Sequence, residues 1–233
     1  MSGHSKWSQI KHKKALVDAK KGRVFSKLGR AIAVAARDNP DPNKNLRLKG
    51  EIDRARAVNM PNDTIERAIK RFTDKASAQL AEVQLEYIGP GSASIIVLAI
   101  TDNTNRTISE LKLLAAKLGA RPTGQGALLW RFKRLGVIRL PANTPEAIQL
   151  KAIDAGAEDV RADADGVTIY TAPELLDQIR SRVEVPAESF GVEFVPTIST
   201  QIHTPEEQEQ LQRILEALDD HDDVQDVFTD ADY

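Results

Sequence analysis

Not one of the 233 residues is a cysteine. That absence excludes a disulfide scaffold, Cys-ligated zinc, an iron–sulfur cluster and thiol catalysis. Long hydrophobic runs are missing too: the longest, Ala93 to Ile100, is far short of the ~20 residues a membrane helix needs. Met1 to Lys14 is polar and basic with no apolar stretch behind it, unlike a signal peptide. The expectation is a soluble, cytoplasmic protein with no membrane partner.

Enzyme signatures are also lacking. There is no Gly-x-x-x-x-Gly-Lys-Ser/Thr loop, and Gly124-Gln125-Gly126 lacks the third glycine of a dinucleotide fingerprint and precedes no helix. His4, His12, His203 and His221 show no His-Glu-x-x-His spacing, and no Gly-x-Ser-x-Gly elbow occurs. Asp163-Ala164-Asp165-Gly166 opens like a calcium loop but lacks the later ligands, and Asp219-Asp220-His221-Asp222-Asp223 reads as a solvated acidic loop. These residues predict no enzyme, no cofactor, no metal and no catalytic residues.

What is present is 41% hydrophobic residues, enough for a core, and a net charge of only −2. The balance hides a segregation. Residues 1–75 hold 19 Lys or Arg and 8 Asp or Glu, a balance of +11. Residues 76–233 hold 13 basic and 26 acidic groups, a balance of −13. A polyanion-binding module on an acidic body is the natural reading.

Periodicity divides the chain further. Val17, Val24, Phe25, Leu28, Ile32 and Ala35 share one helical face. Asp38 to Asn43, with Pro40 and Pro42, breaks that helix. Leu46–Val58 reads as a second helix, and a third starts near Pro61, where Asp63 and Glu66 have capping-box-like spacing. Segment 72–80 reads as a linker. Strands are predicted around Val83–Tyr87, Ser94–Ile100 and Ala127–Lys133, with a helix over Asn105–Leu118. From Gly136 a β-α-β-β-α-β order follows, with Asp165-Gly166 at the central hairpin, which is the ferredoxin-like pattern. A helix over Pro205–Leu218 and a strand over Val224–Phe228 then complete the domain begun at Val83. The predicted class is α+β: a three-helix domain (1–78), an α/β sandwich domain (79–135 plus 196–233), and a ferredoxin-like domain (136–195) inserted in it.

Lys13, Lys20, Arg23, Lys27 and Arg30 project on one stripe of the first helix, beside its apolar face. Upstream, Lys6, Trp7, Lys11, Lys13 and Lys14 form a basic arm bearing one aromatic, suited to touch phosphates and stack on a base. Thr101–Thr107 lies where a core strand meets a helix, so Asn105 and Arg106 are candidates to hold a phosphate at a helix start. The expected partner is nucleic acid.

Gly3-His4-Ser5-Lys6-Trp7, Asp18-Ala19-Lys20-Lys21-Gly22-Arg23-Val24-Phe25 and Asn59-Met60-Pro61-Asn62-Asp63-Thr64-Ile65-Glu66-Arg67-Ala68-Ile69 together carry a resemblance. Gly89-Pro90-Gly91, Thr101–Thr107, Gly156-Ala157-Glu158-Asp159 and Asp222-Asp223-Val224-Gln225 extend it over nearly the whole chain. The chain resembles the YebC/PmpR family. Thr104 stands where arginine is common in that family, which removes one cation from the loop. The resemblance implies three domains and a DNA-binding transcriptional regulator. It also implies an alternative: family members include a mitochondrial translational activator and bacterial proteins that relieve ribosomes stalled at proline runs. Ribosomal RNA and the ribosome are then the partners. On the third helix Asn62, Arg67, Lys70 and Arg71 are the only base-reading candidates, a weak reading head for DNA.

Overall fold

A computed structural model describes Trp7 and residues 21–71, 80–164 and 166–232. The chain divides into two compact units, one of residues 1–132 with 196–233 and one of residues 133–195.

The first unit begins with helices α1 (Lys21–Ala35), α2 (Leu46–Ala57) and α3 (Asn62–Lys70). Leu28, Ile32 and Ala35 on α1 meet Leu48, Ile52 and Ala55 on α2 and Ile65 and Ala68 on α3 in one buried cluster. Asn45 organises the corner. Its Oδ1 accepts the Leu48 amide at 3.0 Å, capping α2, while its Nδ2 donates at 2.7 Å to the carbonyls of Ala35 and Asn39. One side chain thus ties the end of α1 to the start of α2. Helix α3 follows Pro61, which stays extended at φ −60°, ψ 141°. No side chain caps α3, so the expected Asp63–Glu66 capping box does not form there. Proline alone pre-sets that entry angle.

The next elements are β1 (Ala81–Ile88), β2 (Ser94–Thr101), α4 (Thr104–Leu118) and β3 (Arg121–Pro122), closed after residue 196 by β8 (Thr200–Gln201), α7 (Pro205–Asp219), β9 (Val224–Thr229) and β10 (Ala231–Asp232). The sheet order is β3-β1-β2-β9, and β8 and β10 form a separate parallel pair. β1 and β2 form an antiparallel hairpin with Ile88 opposite Ser94 and Ala81 opposite Thr101. β2 is central, paired with β1 on one side and antiparallel to β9 on the other. Ile95, Val97 and Ala99 face a core built with Leu111 and Ala115 of α4 and Leu211, Ile214 and Leu215 of α7. Ile100 packs with Ala31 and Val34 of α1. Apolar cover from both helical layers explains the uninterrupted hydrophobic run of β2. α4 stops at Gly119, whose φ of +96° is left-handed, and the Ala120 amide returns to the Ala115 carbonyl.

One expected strand changes character. Ala127–Lys133 is extended only from Phe132; before it the chain turns, with Gly126 at φ +80° and a 3-10 turn over Leu129–Arg131. The cause is Glu86, a buried carboxylate on β1. Its Oε1 accepts the Gly126 amide at 2.6 Å and its Oε2 the Leu128 amide at 2.7 Å, wrapping the segment around it.

The second unit runs β4 (Phe132–Leu140), α5 (Glu146–Asp154), β5 (Asp159–Ala162), β6 (Val167–Thr171), α6 (Leu176–Val183) and β7 (Ser189–Pro196). Its sheet order, β5-β6-β4-β7, with β4 and β5 both antiparallel to β6, is ferredoxin-like. Ile138, Leu140, Val167 and Ile169 of the sheet meet Ala152 of α5 and Ile179 and Val183 of α6 in a core of their own. Arg139 and Glu193 pair at 2.6 Å across neighbouring strands.

Candidate nucleic-acid interface

Arg23, Lys27 and Arg30 lie at helical spacing on α1, beside the apolar face that packs into the bundle. The described part of this stripe faces the loop 219–223 at the end of α7. Arg30 Nη1 lies 3.1 Å from Asp223 Oδ1, and its Nη2 donates to the Asp222 carbonyl. Lys27 donates to the Asp219 carbonyl. Asp219 closes α7, so this ammonium sits against the negative end of a helix dipole. Arg23 is looser: its Nε lies 3.9 Å from Asp222 Oδ1, with both side chains mostly in water. The stripe is therefore graded, from a half-buried pair at Arg30 to a solvated one at Arg23.

Asp223 is the anion at the centre of this arrangement. Its Oδ2 accepts from the Thr107 hydroxyl at 2.6 Å and faces Arg106 at 3.3 Å, while its backbone carbonyl accepts the Ile100 amide at 2.8 Å. Burial pushes its carboxyl up, but the Thr107 hydroxyl, the charge of Arg30 and hydrogen bonding from Arg106 and Thr101 outweigh it. The net effect holds the carboxyl below its ordinary value. What reads as a solvated acidic run thus contains one buried, fully engaged carboxylate.

This corrects the phosphate site expected at Asn105 and Arg106. Asn103 caps α4 through the Arg106 amide at 3.1 Å, and the Arg106 guanidinium lies between Asp223 at 3.3 Å and Asp102 at 2.9 Å. Hydrogen bonding to Asp223 first, and to Asp102, holds Arg106 more firmly protonated than usual. Asn105 is exposed. The anion held at this helix start is the protein's own Asp223, so the capping reading replaces the phosphate one.

Trp7 requires a second correction. It is 2% exposed, belongs to the core of the β1–β2–β9 sheet, and donates its Nε1–H to the Val227 carbonyl at 3.2 Å. A ring placed so anchors the fold and has no face to offer a base. Lys6, Lys11, Lys13, Lys14 and Lys20 lie outside the described residues. On α3, Arg67 turns back on its own helix, donating to the Asp63 carbonyl at 3.1 Å and the Thr64 hydroxyl at 3.2 Å. Asn62, Lys70 and Arg71 are exposed.

Sequence reading missed three buried carboxylates, Glu86, Asp223 and Asp230, that bind distant segments together. Asp230 accepts the Ser94 amide at 2.7 Å and pairs with Arg131 at 2.6 Å. No local pattern distinguishes them, because the segments they tie together lie tens of residues apart. No helix among the described residues is long and apolar enough to cross a membrane.

A basic helical module on an α+β body with a ferredoxin-like unit defines the class. Two family descriptions match nearly the whole chain: the TACO1/YebC N-terminal domain over residues 5–75, and the TACO1/YebC second and third domain over residues 80–231. The chain belongs to the TACO1/YebC family. A relative from Moorella thermoacetica, 44% identical over all of this chain and 96% of its own length, is named "Probable transcriptional regulatory protein". One from Kosmotoga olearia with the same name is 40% identical over 98% of this chain and 93% of its own. The crystal structure of a conserved hypothetical protein from Aquifex aeolicus superposes with a TM-score of 0.89 at 40% identity, covering 98% of this chain and 97% of that one.

Proposed function

We propose that this chain is a non-enzymatic, nucleic-acid-binding regulatory protein of the cytoplasm, acting on DNA as a transcriptional regulator. The observation that carries the reading is the charge balance of +11 over residues 1–75, on a chain whose relatives bear regulator names. Lysine-rich arms gain affinity by releasing condensed counterions from phosphates. Lys6, Lys11, Lys13, Lys14 and Lys20 supply most of the positive charge that meets the phosphates, with the exposed Arg23 at the edge. Lys27 and Arg30 divide their charge between nucleic acid and the loop 219–223.

One observation favours the second reading, a translation factor bound to ribosomal RNA. Arg67 of α3 is spent on its own helix, which leaves a poor reading head for a DNA groove. Changing Lys6, Lys11, Lys13 and Lys14 together to glutamine is expected to weaken binding to every duplex tested. The slope of log affinity against log salt should fall by about three to four, near 0.9 for each phosphate no longer neutralised. An unchanged slope on duplex DNA and on ribosomal RNA fragments, in a variant shown folded by circular dichroism, would sink the reading. Crosslinking in cells separates the alternatives: discrete promoter fragments support the first, ribosomal RNA the second.

A further inference from the structure

We infer that Trp130 is a stacking platform for an unpaired base of single-stranded RNA, on the acidic body and separate from the basic helices. The inference rests on the nucleic-acid reading above and adds a second binding point to it. Trp130 is 65% exposed, a large apolar surface to leave in water. It is also held in place. Its Nε1–H donates to the Ala127 carbonyl at 3.0 Å, and the Arg131 guanidinium lies over the ring, 5.4 Å from its centroid. Arg131 is in turn fixed by the buried Asp230 at 2.6 Å and by the Thr200 hydroxyl at 2.7 Å. Glu86 pins the other end of the same segment through the amides of Gly126 and Leu128. Two buried carboxylates thus brace a loop that carries an exposed indole, so little ordering remains to be done when a flat ligand arrives.

Charge selects the partner. Residues 111–132 carry four Lys or Arg and no Asp or Glu, within the part of the chain, residues 76–233, whose balance is −13. In the unit that holds Trp130, Lys112 and Arg121 of this stretch are exposed. A fixed aromatic face within a locally cationic segment is how single strands are bound: bases stack while cations follow the phosphates. A duplex keeps its base faces covered, whereas RNA loops and ends present them.

The test uses the full chain and an unstructured 12-nucleotide RNA, with duplex DNA as comparison. The chain has only two tryptophans, and Trp7 is buried, so a base stacking on Trp130 should quench its emission. Titration of the wild type is expected to lower that emission, and Trp130→Phe should lose the change while keeping affinity within a few fold. Trp130→Ala should bind the single strand about 5- to 100-fold more weakly, with duplex affinity unmoved. Binding by anisotropy with no quenching, or equal single-strand affinity in Trp130→Ala, overturns this inference alone. A loss in Trp130→Ala that is equally large for duplex DNA also overturns it. Failure of the wild type to bind any of the nucleic acids overturns both this and the broader reading.

Discussion

Arg30 Nη1 and Asp223 Oδ1 lie 3.1 Å apart although 193 residues separate them along the chain. The pair joins the basic helix α1 to the acidic end of the last domain, so cations that resemble a nucleic-acid surface also hold the fold. Thr107 and Arg106 meet the same carboxylate from α4. Three distant stretches of chain thereby depend on one aspartate.

Replacing Asp223 by alanine is expected to cost about 3 kcal/mol, because it leaves a half-buried guanidinium and a buried hydroxyl without their acceptor. Urea unfolding would measure it, and the loss should be non-additive with Arg30→Gln. The pH dependence follows from the lowered carboxyl. A carboxylate that titrates lower when folded stabilises above its unfolded value, near pH 4, and that contribution fades as pH falls further. Unfolding free energy should therefore decline below about pH 4, and Asp223→Asn should remove part of the decline. Equal acid sensitivity in both proteins would show that Asp223 carries none of it.

Glu86→Gln tests the brace behind the turn before β4. The amide side chain presents one donor where two backbone amides need acceptors, so a loss of about 1–3 kcal/mol is expected. Hydrogen exchange at Gly126 and Leu128 should accelerate while amides of β9 keep their protection. Unchanged exchange at both amides would remove Glu86 as the organiser of that turn.

Residues 133–195, with their own core of Ile138, Ile169 and Ile179, are expected to fold cooperatively as an isolated fragment. Residues 79–135 alone are expected to fail. Without β9 the central strand β2 loses one paired edge, and Leu211, Ile214 and Leu215 are missing from the core. Calorimetry of the two fragments would decide, and a fragment 133–195 without a transition would count against that unit's autonomy.

Much of the fold was legible because periodicity reports burial. The alternation of Val83, Leu85 and Tyr87 marks β1, the apolar run of β2 marks a strand covered on both faces, and the order of elements after Gly136 marks the ferredoxin-like sheet. Asn103 and Gly119 bracket α4 as capping chemistry requires. The site was less legible. Arg106 looks the same in sequence whether it faces phosphate or Asp223, and Trp7 looks the same as a stacking ring or an anchor. Those choices are made by residues far apart in the chain that meet only in the fold, which spacing does not encode. The two-residue strands β3, β8 and β10 were invisible for a related reason, being too short to carry a period.

The placement of β9 beside β2 has a consequence for synthesis. Ser94 and the Asp230 that receives its amide are 136 residues apart. At about 5–20 residues per second, a ribosome needs on the order of ten seconds to make the intervening chain. Through that interval the most apolar strand of the protein is outside the tunnel with one edge unpaired, a template for association with other nascent chains. The unit 133–195 is expected to close on itself meanwhile, so the stretch translated after it seals a domain whose first strands have waited for it. Codons or chaperones that alter this waiting time would change yield without changing the stability of the finished molecule.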